Sequence, residues 1–339
     1  MLGATPGRAK AAEMRNVVVA THGHCFDGLC SAVMFTHLMR HLHRGEELAF
    51  TYRSMGYGPG QNGVDPALLT GDDNAILDFR FTNSPKLTWY FDHHVSAFVT
   101  PEDRAAYEVG AREHAPGGRR MFHDGGYGSC TKLIADVARQ RFGLDTRNLE
   151  ELVRWADMID SAAFPSAEMA VNRTEPVLQL MTVVEHKGND AYLTEMVPRL
   201  LEQPLEEVAR SADVQEAYAP LAVQQQAFID LVKKHAEDRG SVILVDLSDV
   251  VIDVAAKFVT YALWPESTYS VLLSRSATKC KLSIGYNPWS TTPRTHNIAA
   301  ICERHGGGGH PVVGAISLAA SEVERAKKLA REIAEELAR

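Results

Sequence analysis

Short apolar runs in the first third of the chain alternate with one longer amphipathic segment. Four of them have the length and composition of strands, namely residues 17–20, 49–53, 75–79 and 87–91. Residues 29–43 instead repeat apolar side chains at helical spacing, with one face formed by Ala32, Phe35, Leu38 and Leu42. Strands with such an intervening helix predict an α/β fold with a doubly wound parallel sheet.

The remaining patterns divide the chain into four parts. We expect a loose tail over residues 1–15, the parallel-sheet domain over 16–165, a helical cap and linker over 166–239 and a smaller C-terminal α/β domain over 240–339. Residues 115–128 are loop-like, and Ser129 is expected to cap the helix that follows. Pro198, Pro204 and Pro220 are expected to break the helices of the linker.

Composition excludes some classes of protein and partner. The 339 residues carry a net charge of −8, which argues against extended binding to duplex nucleic acid. No apolar run approaches the roughly 20 residues that span a bilayer, so we expect no membrane partner. Five scattered cysteines without a CxxC pair indicate neither a disulfide framework nor a zinc motif and favour the cytoplasm. Among oligomers, a homodimer is the first to consider, because dimers are commonest.

Three of the apolar runs end in acidic or imidazole side chains. The first precedes His22-Gly-His24-Cys25-Phe-Asp27-Gly28, the third contains Asp78 after Ala75-Ile-Leu77, and the fourth precedes Asp92-His93-His94. Asp157 follows on a predicted helix. Because the carboxyl ends of parallel strands meet at one edge of a sheet, we expect these clusters to converge. They could hold two divalent cations with Asp78 as a bridge, and mixed imidazole and carboxylate ligands suit Mn²⁺ better than Ca²⁺.

Each acid taken alone has an ordinary structural explanation. Asp27 could cap a helix, Asp78 could sit in a strand-end turn, and Asp157 could be a solvated helix residue. The whole pattern could also be fortuitous in a structural protein. Adjacent imidazoles at His93 and His94 are harder to explain without a partner, so the clusters together favour a metal site.

A run of four glycines marks the C-terminal domain. The run comprises Gly306, Gly307, Gly308 and Gly309 and is followed by His310. It could be a flexible hinge, but exposed backbone N–H groups without side chains also make an anion-binding nest. We therefore predict a phosphate-binding loop to which His310 adds a donor, with Arg275 and Ser276 contacting the same phosphate.

In this order, the motifs resemble those of the DHH phosphoesterase family, in the form with a DHHA1 C-terminal domain. The resemblance covers about residues 16–320, and the first motif resembles an HGxCxDG branch. The family includes RecJ-like and nanoRNase-type members. The resemblance implies a DHH domain, a helical linker and a DHHA1 domain, with the active site in the cleft between the domains.

The resemblance also implies roles for matching positions. The metal ligands would be His22, Asp27, Asp78, His93 and Asp157, with Asp78 bridging two Mn²⁺ ions or, alternatively, Mg²⁺ or another divalent ion. His94 would lie beside the scissile phosphate, and Arg275 with the glycine loop and His310 would hold the nucleotide. One position departs from the family pattern, because Cys25 stands where many members have an aspartate. Either His24 substitutes there, or the first metal site is weaker or holds a different ion.

These expectations define a metal-dependent phosphoesterase that cleaves short single-stranded oligonucleotides or dinucleotides to mononucleotides. Two alternatives of the same class stay open, a cyclic-dinucleotide phosphodiesterase and a phosphatase acting on 3′-phosphoadenosine 5′-phosphate. A third alternative, supported only by Cys25, is a module that binds a nucleotide without hydrolysing it.

Overall fold

The computed structural model describes residues 14–57, 63–112, 118–251 and 258–339. The expected tail over residues 1–15 lies outside this range except for its last two residues. The chain divides into two compact units. The first comprises Met1–Ala163 and Pro176–Tyr218, and the second comprises Phe164–Glu175 and Ala219–Arg339.

The described residues form strands and helices that are numbered here in chain order. The strands are β1 (Arg15–His22), β2 (Leu48–Met55), β3 (Asp73–Leu77), β4 (Trp89–Asp92), β5 (Arg120–His123), β6 (Ala236–Asp238), β7 (Val242–Val251), β8 (Tyr269–Arg275), β9 (Lys279–Tyr286), β10 (Gly308–His310) and β11 (Val313–Ala319). The helices are α1 (Phe26–Leu42), α2 (Pro101–Gly110), α3 (Cys130–Phe142), α4 (Glu150–Asp160), α5 (Ala167–Asn172), α6 (Pro176–Lys187), α7 (Asp190–Glu202), α8 (Leu205–Ala209), α9 (Ala212–His235), α10 (Val259–Leu263), α11 (Ile298–Glu303) and α12 (Val323–Leu337).

The first unit contains a five-stranded parallel sheet in the order β2-β1-β3-β4-β5. From β1 the chain crosses through α1 to β2 on one side, whereas β3, β4 and β5 add on the other side. Because such crossovers are right-handed, α1 and α2 fall on opposite faces of the sheet. The strand order therefore reverses between β1 and β3, which is the position where open α/β sheets bind ligands.

Aromatic side chains on alternate positions of β4 fill both faces of this sheet. Trp89 and Phe91 contact Phe35 of α1, with ring centroids 5.5 and 6.3 Å apart. Tyr90 points to the other face, where its ring lies 6.0 Å from that of Tyr107 in α2. Burying each of these rings contributes a few kcal/mol to stability. β4 is therefore held by side-chain packing on both faces of the sheet.

The second unit contains a six-stranded sheet in the order β10-β11-β9-β8-β7-β6. Its pairs are antiparallel except for β7 with β8. One face is covered by α11 and by α12, which buries Ala326, Leu329, Ala330, Ile333 and Leu337. On the other face, Ile229 and Val232 of α9 pack against Ile243 and Val245 of β7.

The structure confirms the predicted fold class, a parallel-sheet α/β domain with helices and a second, smaller sheet domain. Three local expectations are wrong. The segment predicted as a loop over residues 115–128 contains β5, whose Met121 is buried between more exposed neighbours. Helices α7 and α9 continue through Pro198 and Pro220, since losing one backbone hydrogen bond does not outweigh the burial of their apolar faces. Among the described residues, no helix is both long and apolar enough to cross a bilayer.

Candidate metal centre

Acidic and imidazole side chains gather at the carboxyl edge of the parallel sheet, beside the reversal between β1 and β3. His22 ends β1, Asp78 follows β3, and His93 follows β4. Asp27 lies in the first turn of α1, and Asp160 ends α4. The structure therefore brings four of the five predicted metal ligands together, and it adds Asp160.

Asp78 lies at the middle of this cluster and is fully buried. One carboxylate oxygen, Oδ2, is 3.5 Å from His22 Nδ1, whereas Oδ1 is 3.5 Å from His93 Nε2 and 3.6 Å from His94 Nδ1. The residue has a φ of +53°, a left-handed conformation that aspartate tolerates better than most residues. This turn at the end of β3 presents the two oxygens to opposite sides of the cluster.

His93 is held by the backbone on one side and faces three carboxylates on the other. Its Nδ1 donates a hydrogen bond to the carbonyl oxygen of Tyr127 at 3.1 Å. Its Nε2 is 3.2 Å from Asp160 Oδ2, 3.5 Å from Asp78 Oδ1 and 4.0 Å from Asp27 Oδ2. An imidazole whose second nitrogen is fixed by a carbonyl is the usual arrangement of a metal-binding histidine.

The crowding of acids changes the protonation of the cluster. Burial, together with the charges of Asp78 and Asp160, raises the pKa of Asp27 well above its ordinary value. Burial lowers the pKa of His93, but the carboxylates of Asp160 and Asp78 outweigh it and raise that pKa to about 11. Burial likewise raises the pKa of Asp78, but His22 and His93 more than offset this and leave it below its ordinary value. Without a cation, the cluster retains protons because its negative charges lie too close together.

Asp27 also supports the start of α3. Its two carboxylate oxygens accept hydrogen bonds from the backbone N–H groups of Cys130 at 2.7 Å and Thr131 at 3.0 Å. These N–H groups are unpaired donors of the first turn of α3, where the helix dipole also favours a negative charge. Asp27 therefore has a structural role in addition to its place in the cluster.

His94 is oriented by Asp92 rather than by the central acid. Asp92 Oδ1 accepts hydrogen bonds from His94 Nδ1 at 2.8 Å and from the backbone N–H groups of His93 and His94. Its other oxygen accepts from the Tyr90 hydroxyl at 3.0 Å. The bond to Asp92 raises the pKa of His94 above its ordinary value, and burial offsets part of this rise. Because Nδ1 is engaged by Asp92, Nε2 is the nitrogen left for a substrate.

Asp157 lies outside the cluster, contrary to what the resemblance implies. Its carboxylate is 2.9 Å from Lys132 Nζ and 3.4 Å from Ser129 Oγ. Asp160, three residues later on α4, faces His93 instead. His24 also points away, since its Nδ1 is 3.1 Å from the carbonyl oxygen of Glu185. Asp160 is not among the ligands predicted from the sequence, where its one signal is the i,i+3 spacing from Asp157.

The donor atoms fit divalent cations. Within the described residues, three groups have ligand atoms within 4.8 Å of one another: His22 with Cys25 and Asp78, Asp78 with His93 and His94, and Asp27 with His93 and Asp160. Among the buried polar atoms described, Asp78 Oδ1 and His93 Nε2 have no hydrogen-bond partner. Buried polar atoms that lack hydrogen-bond partners are costly unless something else binds them, and a cation held between these groups would do so.

Backbone hydrogen bonds and conformations explain why glycines stand in the run over residues 306–309. The N–H groups of Gly306 and Gly307 donate to the carbonyls of Glu303 and Cys302 and so end α11. Gly306 has a φ of +77°, and at Gly309, with a φ of +156°, a Cβ would lie 2.3 Å from the Val313 carbonyl oxygen. Of the four amides predicted to form an anion-binding nest, those of Gly306 and Gly307 are therefore engaged within the chain. Binding of a phosphate by the Gly308 and Gly309 amides stays a prediction.

Arg275 lies at the end of β8, three strands away from β10. At about 4.8 Å between strands, some 14 Å separates the backbones of Arg275 and the glycines. A shared phosphate would require the arginine side chain to span most of that distance, so the joint contact stays a prediction. Ser276 has a local role, because its Oγ accepts from the Lys279 N–H and closes the turn between β8 and β9. A guanidinium that does lie beside the loop is that of Arg294, whose Nη1 donates to the Pro311 carbonyl oxygen at 3.2 Å.

Comparison with known proteins gives a likeness of fold. No family model matches the chain, and no curated protein matches it in sequence. Among solved structures, the pGpG-specific phosphodiesterase PggH from Vibrio cholerae matches 94% of this chain and 98% of its own, at 18% identity and a TM-score of 0.62. The chain has the same fold. RecJ from Thermus thermophilus, in complex with Mn²⁺, matches over 95% of this chain and 52% of its own, at 12% identity and a TM-score of 0.50.

Proposed function

We propose that the chain is a divalent-metal-dependent phosphoesterase of the DHH type that hydrolyses the phosphodiester bond of linear dinucleotides and very short oligonucleotides. The observation that carries this proposal is the buried carboxylate of Asp78. Its oxygens face nitrogen ligands on two sides, and Oδ1 has no hydrogen-bond partner within the described chain. This is the arrangement expected of a carboxylate shared by two cations.

The residues present would divide the work of such a site. His22, Asp27, Asp78, His93 and Asp160 would hold the cations. Bound there, divalent cations would neutralise charge on the phosphoryl group and activate the attacking water. His94, fixed through Nδ1 by Asp92, would present Nε2 to a phosphate oxygen. Because Asp92 also binds the backbone of the same loop, this nitrogen is positioned before substrate arrives.

Two considerations favour a short substrate. The likeness to PggH, which is described as specific for pGpG, extends over nearly the full length of both chains, whereas it covers about half of RecJ. The net charge of −8 does not favour a long polyanion. On this basis, a nanoRNase-like or dinucleotide-cleaving activity is a better hypothesis than that of a processive exonuclease.

Product analysis tests the proposal. The Mn²⁺-loaded protein is incubated separately with pGpG, a longer single strand, a cyclic dinucleotide and 3′-phosphoadenosine 5′-phosphate, and nucleotides are separated by chromatography. We expect mononucleotide from pGpG at the highest rate. Faster cleavage of the cyclic dinucleotide or of the monoester would move the assignment to one of those substrate classes.

Two variants make the test specific to the centre. Asp78→Asn should abolish turnover, whereas Asp145→Asn changes an exposed acid that pairs with Arg147 and should not affect it. If no substrate is cleaved while metal analysis shows two bound ions, the hydrolase proposal fails and a nucleotide-binding module becomes the better description.

A further inference from the structure

Cys25 contributes a sulfur atom to one side of the metal cluster. It is the residue immediately before α1, and its thiol lies 3.8 Å from Asp78 Oδ2. His22 Nδ1 approaches the same oxygen at 3.5 Å. Nitrogen, sulfur and oxygen donors therefore lie within 4.8 Å of one another. The alternative ligand, His24, is turned away toward Glu185.

The two sides of the cluster have different chemistry. On the Cys25 side the donors are one imidazole, one thiol and one carboxylate oxygen. On the other side Asp27, His93 and Asp160 offer one imidazole and two carboxylates, with no sulfur. Asp78 is shared between the two sides and fully buried. Its Oδ1, which faces His93, has no hydrogen-bond partner among the described residues, and this is independent evidence that the centre is built around a ligand.

Metal ions distinguish such donor sets. Thiolate favours borderline and soft ions such as Zn²⁺, whereas carboxylate-rich sites suit Mn²⁺ and Mg²⁺. One thiolate ligand is enough to favour such ions, so the absence of a CxxC pair from the sequence does not argue against a site for a borderline ion. The thiol proton leaves to solvent when the ion binds.

We propose that Cys25, with His22 and Asp78, makes one half of the centre selective for a borderline ion of the Zn²⁺, Fe²⁺ or Co²⁺ class, while the half containing Asp27, His93 and Asp160 takes a hard ion such as Mn²⁺. The centre is then a mixed-metal one. This inference rests on the proposed function, because it requires that the cluster bind metal at all.

Spectroscopy of metal-loaded protein tests the sulfur ligand directly, without reference to activity. We expect the metal-free chain to develop a sulfur-to-cobalt charge-transfer band on addition of Co²⁺. The X-ray absorption spectrum of the Zn²⁺-loaded chain should show a sulfur neighbour at about 2.3 Å. Both signals should be lost in Cys25→Ser and retained in Cys30→Ala, which removes a buried thiol that belongs to none of the described donor groups.

Binding constants provide the second measurement. Cys25→Ser should raise the Kd for Zn²⁺ about 10- to 100-fold, the range that a lost partner at a metal site costs, and should change the Kd for Mn²⁺ much less. The sulfur site would be overturned, with the proposed function intact, by either of two results. One is the binding of two Co²⁺ ions without a charge-transfer band, and the other is an equal loss of Zn²⁺ and Mn²⁺ affinity in Cys25→Ser. Failure of the wild-type chain to bind any of the three ions would overturn both.

Discussion

Replacing Asp78 with asparagine removes the shared negative charge of the centre and almost nothing else. The amide has the same shape, and asparagine tolerates the left-handed φ of +53° found at this position. Alanine does not, and it adds a backbone cost of about 1–2 kcal/mol. Comparing the two variants therefore separates the loss of a metal ligand from strain at the end of β3.

The size of the expected effect follows from binding linkage. At a free Mn²⁺ concentration of 100 Kd, one ion stabilises the folded state by about 2.7 kcal/mol, and two ions by about 5 kcal/mol. In a unit of roughly 200 residues, each kcal/mol raises Tm by about 2–4 °C. Wild-type protein should therefore gain about 5–10 °C in Mn²⁺ over chelator for each ion that it binds, and Asp78→Asn should gain little.

Scanning calorimetry with and without Mn²⁺ is the direct assay. In chelator, Asp78→Asn should melt near the wild type, because losing its contacts with His22 and His93 is partly offset by relief of repulsion from Asp27. Asp78→Ala should melt lower in both conditions. An Asp78→Asn variant that keeps the full Mn²⁺-dependent rise would refute the reasoning, since the shared carboxylate would then not be a ligand.

Three further predictions concern single positions. Asp160→Asn should weaken Mn²⁺ binding about 10- to 100-fold in calorimetric titration, whereas Asp157→Asn should have a much smaller effect. A larger loss of affinity in Asp157→Asn than in Asp160→Asn would show that α4 turns Asp157 toward the cluster. Arg294→Ala should raise KM with little change in kcat, and Arg294→Lys should raise KM less. An unchanged KM in Arg294→Ala would exclude a contact between Arg294 and the substrate. Gly309→Ala should destabilise the second unit by about 1–3 kcal/mol in urea unfolding. Gly308→Ala, where a Cβ meets open space, should have a stability within about 0.5 kcal/mol of wild type. Equal losses of stability in the two variants would contradict the described backbone.

The central strands were predictable because they are buried on both faces. Such strands appear as continuous apolar runs, and the residues that end them, His22, Asp78 and Asp92, necessarily share one edge of the sheet. By contrast, β5 is a four-residue edge strand with a single buried position and leaves no such run. The sequence does carry a signal for α2, since Thr100 and Asp103 form a capping box with Pro101 at the first turn.

The remaining differences depend on information that a local pattern does not contain. Which acid of α4 faces the cluster depends on the rotation of that helix, which the burial of Leu152 and Trp155 sets through packing. The distance between Arg275 and the glycines depends on strand order in the second sheet. Neither is encoded in the spacing of a motif.

The double role of Asp27 has an evolutionary consequence. Its carboxylate both borders the cluster and accepts the first two backbone N–H groups of α3, so losing it would leave buried donors unsatisfied as well as a ligand missing. Asp160 lies at a more accessible helix end and has no such structural hydrogen bonds among the contacts described. If the cluster no longer had to bind metal, substitutions at Asp160 should therefore be tolerated more readily than substitutions at Asp27, because α3 would still need the hydrogen bonds to Asp27.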